Sequence, residues 1–137
     1  MGTREKKRIL VIDDDPDFLD YISIVLSSNG YEVLTASNVE DGLAKMRTLL
    51  PNLVIADVML SYSLEGWTIS REMFSDPRLR KIPLLMVSAI VSKEDVGLFP
   101  SEEEGRVDAF LRKPVDPSTL LERISELLGN TSQAKEE

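Results

Sequence analysis

Polar groups that can handle phosphate or a metal ion follow four apolar runs of the sequence. The groups are Asp13-Asp14-Asp15, Asp57, Ser88 and Lys113-Pro114. The runs that they follow occupy residues 9–12, 53–56, 84–87 and 109–112. Ligands of an open parallel sheet bind in the crevice at the carboxyl ends of its strands. We therefore expect the acids, the hydroxyl and the ammonium to converge on one pocket.

Three of the acids would repel one another in such a pocket. Two like charges about 4 Å apart repel by about 4 kcal/mol at an effective dielectric constant of about 20, so Asp13, Asp14 and Asp57 need a compensating cation. Mg²⁺ prefers oxygen ligands and suits a small carboxylate site in which it keeps several waters. The sequence therefore predicts Mg²⁺ as the cofactor, with Mn²⁺ as the alternative ion.

The other groups suit phosphoryl transfer. The Lys113 ammonium is a point charge that can donate to one phosphoryl oxygen, and Ser88 offers a hydroxyl donor to another. Asp57 stands where a carboxylate can attack phosphorus in line. The predicted product is an aspartyl phosphate at Asp57, with Ser88 and Lys113 as its donors.

Composition limits the classes of function. The 137 residues make one domain of ordinary size, and the net charge of −8 argues against nucleic-acid binding through the general surface. The chain has no cysteine, which excludes a disulfide framework, and no histidine, which excludes an imidazole base, metal ligand or phosphocarrier. No apolar run has the length of a membrane span or a signal peptide, so we expect a cytoplasmic protein without a membrane partner.

Strands and helices alternate along the chain, as in an α/β domain with a parallel sheet. Strands are predicted over residues 9–13, 32–36, 53–57, 84–88 and 109–112. The first, third and fourth are unbroken apolar runs, which favours burial under helices on both faces of the sheet. The second alternates polar and apolar residues, so it is predicted to lie at an edge.

Capping residues mark the first two helices. Asp15-Pro16 predicts the start of the first helix, and Gly30 its end. Ser37-Asn38-Val39-Glu40 has the pattern of a capping box that opens the second helix. The buried face of that helix is predicted to consist of Val39, Leu43, Met46 and Leu50.

Similar signals bound the later helices. One follows Gly66 and stops before Asp76-Pro77, and the last begins at Asp116-Pro117 and ends at Gly129. The inward residues of that last helix are predicted to be Leu120, Leu121, Ile124, Leu127 and Leu128. Between the fourth and fifth strands, a fourth helix starting at residues 92–95 is predicted to be short or irregular, because glycine and proline interrupt it. Residues 130–137 are predicted to form a disordered polar tail.

In their order and spacing, these motifs resemble the receiver (phosphoacceptor) domain of two-component response regulators. The resemblance covers residues 7–129, and its most specific segments are residues 9–16, 51–59, 86–89 and 110–114. It implies a flavodoxin-like, doubly wound sheet of five parallel strands in the order 2-1-3-4-5, with helices on both faces. It also implies a sensor histidine kinase or phosphotransfer protein as phosphoryl donor, and an unknown downstream protein as target.

The resemblance assigns roles to individual residues. It implies that Asp57 is the phosphoacceptor and that Asp14 and Asp57 bind Mg²⁺ directly, whereas Asp13 acts largely through water. The backbone carbonyl of Met59 would be a further ligand. Ser88 is similar to the family's switch hydroxyl.

Two more resemblances concern the fifth strand and the residue after it. Phe110 is similar to the switch aromatic of the family. The Lys113-Pro114 bond resembles the family's cis peptide, which would direct the ammonium inward.

The chain departs from the family pattern beside the phosphoacceptor. Ser61 stands where the family usually has proline, and Gly66 comes one residue late, which implies a longer loop. Family members carry side chains that flank the path of the hydrolytic water two residues after the phosphoacceptor and two after the switch hydroxyl. Here these are Met59 and Ile90, and neither side chain has a polar group to orient water.

Two other functions fit part of the pattern. A degenerate receiver would only bind partners, which the longer loop after Asp57 favours and the intact acids oppose. A phosphatase of the haloacid dehalogenase type would use Asp13 as nucleophile in an acid-x-acid motif. That enzyme normally needs a cap and a longer chain, and it would leave Asp57 without a role.

Overall fold

The computed structural model describes residues 6–57, 66–89 and 107–129. In these ranges the strands are β1 (Arg8–Ile12), β2 (Glu32–Ala36), β3 (Leu53–Asp57), β4 (Leu84–Ser88) and β5 (Ala109–Arg112). The helices there are α1 (Pro16–Ser28), α2 (Val39–Leu49), α3 (Gly66–Ser75) and α4 (Pro117–Leu127). None of these helices combines the length and apolar composition that a bilayer span requires.

The strands form one parallel sheet in the order β2-β1-β3-β4-β5, which confirms the flavodoxin-like prediction. Every residue of β3 and β4 is buried. β2 lies at an edge, as its alternating sequence predicted, and only Ala36 is buried there. The first strand begins at Arg8 and ends at Ile12, one residue before its predicted end.

Each face of the sheet has its own hydrophobic core. Leu10 and Ile12 of β1 point to the face that α2 and α3 cover. Ile9 and Val11 point to the opposite face, where residues of α1 and α4 pack on them. Because neighbouring residues of a strand point to opposite faces, an apolar run at the centre of the sheet contributes to both cores. This arrangement confirms the prediction of helices on both faces.

Helix α1 begins and ends at the predicted signals. Asp15 is the N-cap, and its side chain accepts a hydrogen bond of 3.0 Å from the backbone N–H of Asp17. At the other end Gly30 has a φ of 90°, which favours glycine. The N–H of Gly30 donates to the carbonyl of Ser27, and that of Tyr31 to the carbonyl of Leu26. These two bonds satisfy the last carbonyls of the helix.

The predicted capping box of α2 is wrong. The N-cap is Asn38, whose Oδ1 accepts from the N–H of Asp41 at 2.7 Å. The side chain of an N-cap residue accepts from the N–H of the second or third helical residue. Ser37 lies one residue before the N-cap, so it does not occupy the capping position that the predicted box requires. The third helical position is accordingly Asp41 and not Glu40.

The predicted buried face of α2 is correct only as far as Met46. Met46 is fully buried, and Val39 and Leu43 are partly buried against the same core. Leu50 is 47% exposed and ends the helix at a φ of 47°, so its side chain turns away from the core. The buried position that the pattern missed is Gly42. A Cβ there would lie 2.6 Å from Cδ1 of Ile12, so glycine lets α2 approach β1 closely.

Helix α4 follows its predicted signals. Asp116 caps it by accepting from the N–H of Thr119 at 3.1 Å. Leu120 and Ile124 are buried, and Gly129 has a φ of 86° just after the helix. Leu121, Leu127 and Leu128, also predicted to point inward, are partly buried against the core. The loop after Asp57, the helix predicted from residue 92 and the tail at 130–137 lie outside the described residues.

Candidate functional site

The carboxyl ends of four strands meet at one edge of the sheet. Asp57 and Ser88 are the last residues of β3 and β4. Asp13 and Lys113 directly follow β1 and β5. The parallel register pairs Ile12 with Ala56, Asp57 with Val87 and Ser88 with Arg112, so these ends lie level with one another. The strands therefore bring Asp13, Asp57, Ser88 and Lys113 to the same end of the sheet.

Lys113 joins two of the acids. Its Nζ lies 2.8 Å from Oδ2 of Asp13 and 3.2 Å from Oδ2 of Asp57. The backbone N–H of Lys113 donates to the carbonyl of Ser88 at 3.0 Å, which continues the pairing of β5 with β4 past the end of the strand. The Lys113-Pro114 bond is cis, as the resemblance implied.

Asp13 is almost completely buried, with 1% of its surface exposed. Its Oδ1 accepts from the N–H of Asp15 at 2.9 Å, and its Oδ2 accepts from Lys113. Burial raises the pKa of Asp13 above its ordinary value, although these two hydrogen bonds oppose the rise. Burial thus favours the protonated form of Asp13, and the Asp15 N–H and the Lys113 ammonium favour the carboxylate.

The pKa of Lys113 responds to the same neighbours. Burial acts to lower the pKa, but the hydrogen bond to Asp13 and the charges of Asp13 and Asp57 together outweigh it. The pKa therefore lies above its ordinary value, and Lys113 carries its positive charge at neutral pH.

The three acids fit a small divalent cation. One carboxylate oxygen from each of Asp13, Asp14 and Asp57 lies within 4.8 Å of the others. Asp13 and Asp57 are buried, whereas Asp14 is exposed, so the group has an open side toward solvent. Hard oxygen ligands and space for water are what Mg²⁺ requires. Met59, whose carbonyl the resemblance adds, lies outside the described residues.

Ser88 and Phe110 lie on one face of the sheet. Ser88 is 1% exposed at the end of β4. Phe110 of β5 pairs with Met86 and is partly buried against the core on the α2 and α3 face. Residues two apart on a strand share a face, so Ser88 lies on the same side as Met86 and Phe110. The two residues that resemble the family's switch hydroxyl and switch aromatic therefore lie on the same face of the sheet.

Two aromatic residues near the site were not singled out from the sequence. The Phe18 ring centroid lies 4.3 Å from Nζ of Lys113. The Tyr21 hydroxyl donates to the carbonyl of Val115 at 2.7 Å. Phe18 lies in the first turn of α1, close in sequence to the acids that follow β1. That proximity was the local signal in the sequence that could have pointed to a role for Phe18 at the site.

Comparison with known proteins shows similarity over nearly the whole chain. Residues 9–125 match the family model described as "Response regulator receiver domain". The chain is 36% identical over 126 residues to the "DNA-binding dual master transcriptional regulator RpaA" of Synechocystis sp., covering 92% of this chain and 51% of RpaA. It therefore spans about half the length of that relative.

A shorter relative and a solved structure match along almost their full length. Protein PilH of Pseudomonas aeruginosa is 31% identical over 121 residues, which cover 88% of this chain and 97% of PilH. The crystal structure of a CheY-like response regulator receiver domain protein from Methanospirillum hungatei superimposes with a TM-score of 0.80 at 34% identity. That match covers 97% of this chain and 100% of the other.

Proposed function

This chain belongs to the response regulator receiver family of two-component signalling, and from that premise we propose that Asp57 accepts a phosphoryl group in a Mg²⁺-dependent switching reaction. The observation that carries the proposal is the contact of one ammonium, Lys113, with both Asp13 and Asp57. It puts a cationic donor beside the proposed nucleophile, at the same edge as three acids that suit Mg²⁺.

The phosphoryl donor lies outside these 137 residues, which contain no histidine. We propose that the phosphohistidine belongs to a sensor histidine kinase or a phosphotransfer protein. A carboxylate oxygen of Asp57 attacks phosphorus and forms an O–P bond as the P–N bond of the donor breaks. The electron pair of that bond leaves with the imidazole. A small acyl phosphate reacts in the same way and releases its carboxylate.

The residues of the site position the reacting groups. Lys113 and Ser88 donate hydrogen bonds to phosphoryl oxygens, while Asp13, Asp14 and Asp57 would hold Mg²⁺, with the carbonyl of Met59 as a further ligand. Mg²⁺, or Mn²⁺ in its place, would supply positive charge that offsets the negative charge of the reacting groups. Since Lys113 already contacts Asp57 at 3.2 Å, a short movement brings the ammonium to a phosphoryl oxygen.

Output comes from a change in packing. A phosphoryl group on Asp57 draws Ser88 toward it, and Phe110 moves inward into the space that Ser88 leaves. The placement of both residues on the same face supports this coupling. The surface formed by β5 and α4 then exchanges between two arrangements, one of which binds the downstream protein.

The adduct is a switch state, so we propose no multiple-turnover substrate for this site. A haloacid dehalogenase-type phosphatase would need Asp13 as a free nucleophile. Both oxygens of Asp13 accept hydrogen bonds, from Asp15 and Lys113, which disfavours that role. The intact set of acids with Lys113 likewise favours phosphorylation over a degenerate receiver that only binds partners.

Intact-mass measurement after incubation with acetyl phosphate and Mg²⁺ tests the assignment. We expect the wild type to gain one phosphoryl group and Asp57→Asn to gain none. Asp15→Asn is the matched control, because Asp15 caps α1 and asparagine is an equally good N-cap. An adduct of equal yield on Asp57→Asn would overturn the assignment, and an unmodified wild type would favour the degenerate receiver.

A further inference from the structure

The Lys113 ammonium has a third neighbour besides the two carboxylates. Its Nζ lies 4.3 Å from the centroid of the Phe18 ring, which belongs to the first turn of α1. A cation within about 6 Å of an aromatic centroid is attracted to the negative face of the ring. Within the described part of the chain, the ammonium therefore has three partners, which are two anions and one aromatic ring.

We propose that Phe18 is a positioning residue that holds the Lys113 ammonium at the acidic cluster, where it can donate to a phosphoryl group on Asp57. Donation by Lys113 to a phosphoryl group rests on the proposed function. The positioning of the ammonium by Phe18 concerns the unphosphorylated protein and is argued from the ring contact alone.

Helix α1 contacts the segment after β5 at two points. Phe18 contacts the side chain of Lys113, and the Tyr21 hydroxyl donates to the carbonyl of Val115, two residues later. The rings of Phe18 and Tyr21 lie 6.2 Å apart and tilted, so each restricts the other. Val115 is buried. The Phe18 ring therefore packs against Tyr21, which is itself hydrogen-bonded to a buried residue of the segment after β5.

The ring matters because the Lys113 side chain can otherwise leave the pocket. It is 20% exposed, and lysine carries a strongly hydrated charge on a flexible four-carbon chain. Without an aromatic face, water competes for the ammonium. A partly exposed cation–π contact shifts the equilibrium between the held and the hydrated ammonium by about threefold to tenfold.

Loss of the ring should lower the affinity for a phosphoryl mimic without lowering the affinity for Mg²⁺. Mg²⁺ and the Lys113 ammonium compete for the carboxylates of Asp13 and Asp57. A less firmly held ammonium should leave Mg²⁺ affinity unchanged or higher. A phosphoryl mimic needs the ammonium as a donor, so its affinity should fall. Damage to the fold would lower both affinities.

The first experiment measures these affinities by calorimetry in the full chain. We expect Phe18→Leu to bind beryllofluoride about threefold to tenfold more weakly at saturating Mg²⁺, with Mg²⁺ affinity not reduced. Phe18→Trp keeps an aromatic face, so its affinity for beryllofluoride should be close to that of the wild type. Phe74→Leu is the matched control, since Arg80 lies 5.4 Å from that ring in a cation–π contact formed with α3. This control should leave both affinities unchanged.

The second experiment varies the ring electrostatics at nearly constant shape. Monofluoro-, trifluoro- and pentafluorophenylalanine are introduced at position 18, which weakens the negative ring face stepwise. Beryllofluoride affinity should fall with each step. Equal affinity across the series, or a joint fall of both affinities with a lower melting temperature in Phe18→Leu, would show that Phe18 only packs.

A third measurement separates this inference from the proposed function. In the metal-free wild type, the ε-methylene protons of Lys113 should show an upfield ring-current shift that Phe18→Leu removes. If the wild type binds no beryllofluoride and takes no phosphate, the proposed function fails while this shift still tests the contact. If the shift is absent in the wild type, the positioning role of Phe18 is wrong.

Discussion

The ammonium of Lys113 lies 2.8 Å from the carboxylate of Asp13, which precedes it by 100 residues in the chain. The two residues follow β1 and β5, strands that are not neighbours in the sheet. The contact crosses the end of β3, where Asp57 is the other acceptor of the same ammonium. The ion pair thus spans the central part of the site, where burial raises the pKa of Asp13.

The first prediction concerns Asp13 and pH. Burial raises the pKa of Asp13, so the folded state holds that proton more tightly than the unfolded state does. Stability contributed by Asp13 is therefore lost as pH rises from about 3.9, the ordinary value, through the raised folded-state pKa. We expect Asp13→Asn to increase the free energy of unfolding at neutral pH without metal. The increase should shrink as pH falls and should disappear well below about 3.9, where Asp13 is protonated in both states.

Urea denaturation in the presence of a chelator, followed across this pH range, measures the effect. Saturating Mg²⁺ should reverse the order of wild type and variant, because the wild-type carboxylate then stabilises the bound ion. A variant that is less stable than wild type at neutral pH without metal would contradict the prediction.

The second prediction concerns Asp14, the exposed member of the acidic group. We expect Asp14→Ala to weaken Mg²⁺ binding at least tenfold, since loss of even an indirect partner of a metal ligand costs about tenfold to a hundredfold. Phosphorylation by acetyl phosphate should fall in parallel. Calorimetric titration with Mg²⁺ measures the first effect, and Asp17→Ala on α1 serves as a control. Unchanged Mg²⁺ affinity would remove Asp14 from the ligand set.

The third prediction concerns the contact between α2 and β1. Alanine at Gly42 would place its Cβ 2.6 Å from Cδ1 of the fully buried Ile12. We expect Gly42→Ala to destabilise the fold by about 1–3 kcal/mol from overpacking, partly offset by about 1 kcal/mol of helix propensity. Ile12→Val removes Cδ1, so it should recover part of the loss in the double variant. Additive losses in thermal or urea unfolding would show that the two positions do not compete for space.

The fourth prediction concerns the lifetime of the phosphorylated form and rests on the sequence. Met59 and Ile90 stand where the resemblance places the side chains that flank the hydrolytic water, and both lie outside the described residues. Hydrolysis in line depends mainly on positioning, so apolar side chains there should slow it. We expect Met59→Asn and Ile90→Glu to shorten the lifetime of the isolated phosphoprotein. Equal or faster decay of the wild type, measured beside both variants, would count against this view.

Local signals in the sequence determined most of the framework. The strands at residues 32–36, 53–57, 84–88 and 109–112 were predicted at their observed bounds. An apolar run or a period of two is a property of neighbouring residues and can be recognised without the fold. The same holds for the caps Asp15 and Asp116, whose side chains bond to N–H groups two or three residues away. The order of polar groups after the strands placed Asp13, Asp57, Ser88 and Lys113 at one edge.

Tertiary packing decided what the local pattern could not. Leu50 fits the period of α2, yet it is exposed because the helix ends there in a left-handed residue. Gly42 is buried in the same helix, and a glycine is required there because the Ile12 side chain of β1 lies against it. The contact of Phe18 with Lys113 depends on the sheet register and on how α1 sits beside the segment after β5. Such contacts join residues far apart in the chain, so their distances are set by the packed elements and not by sequence spacing.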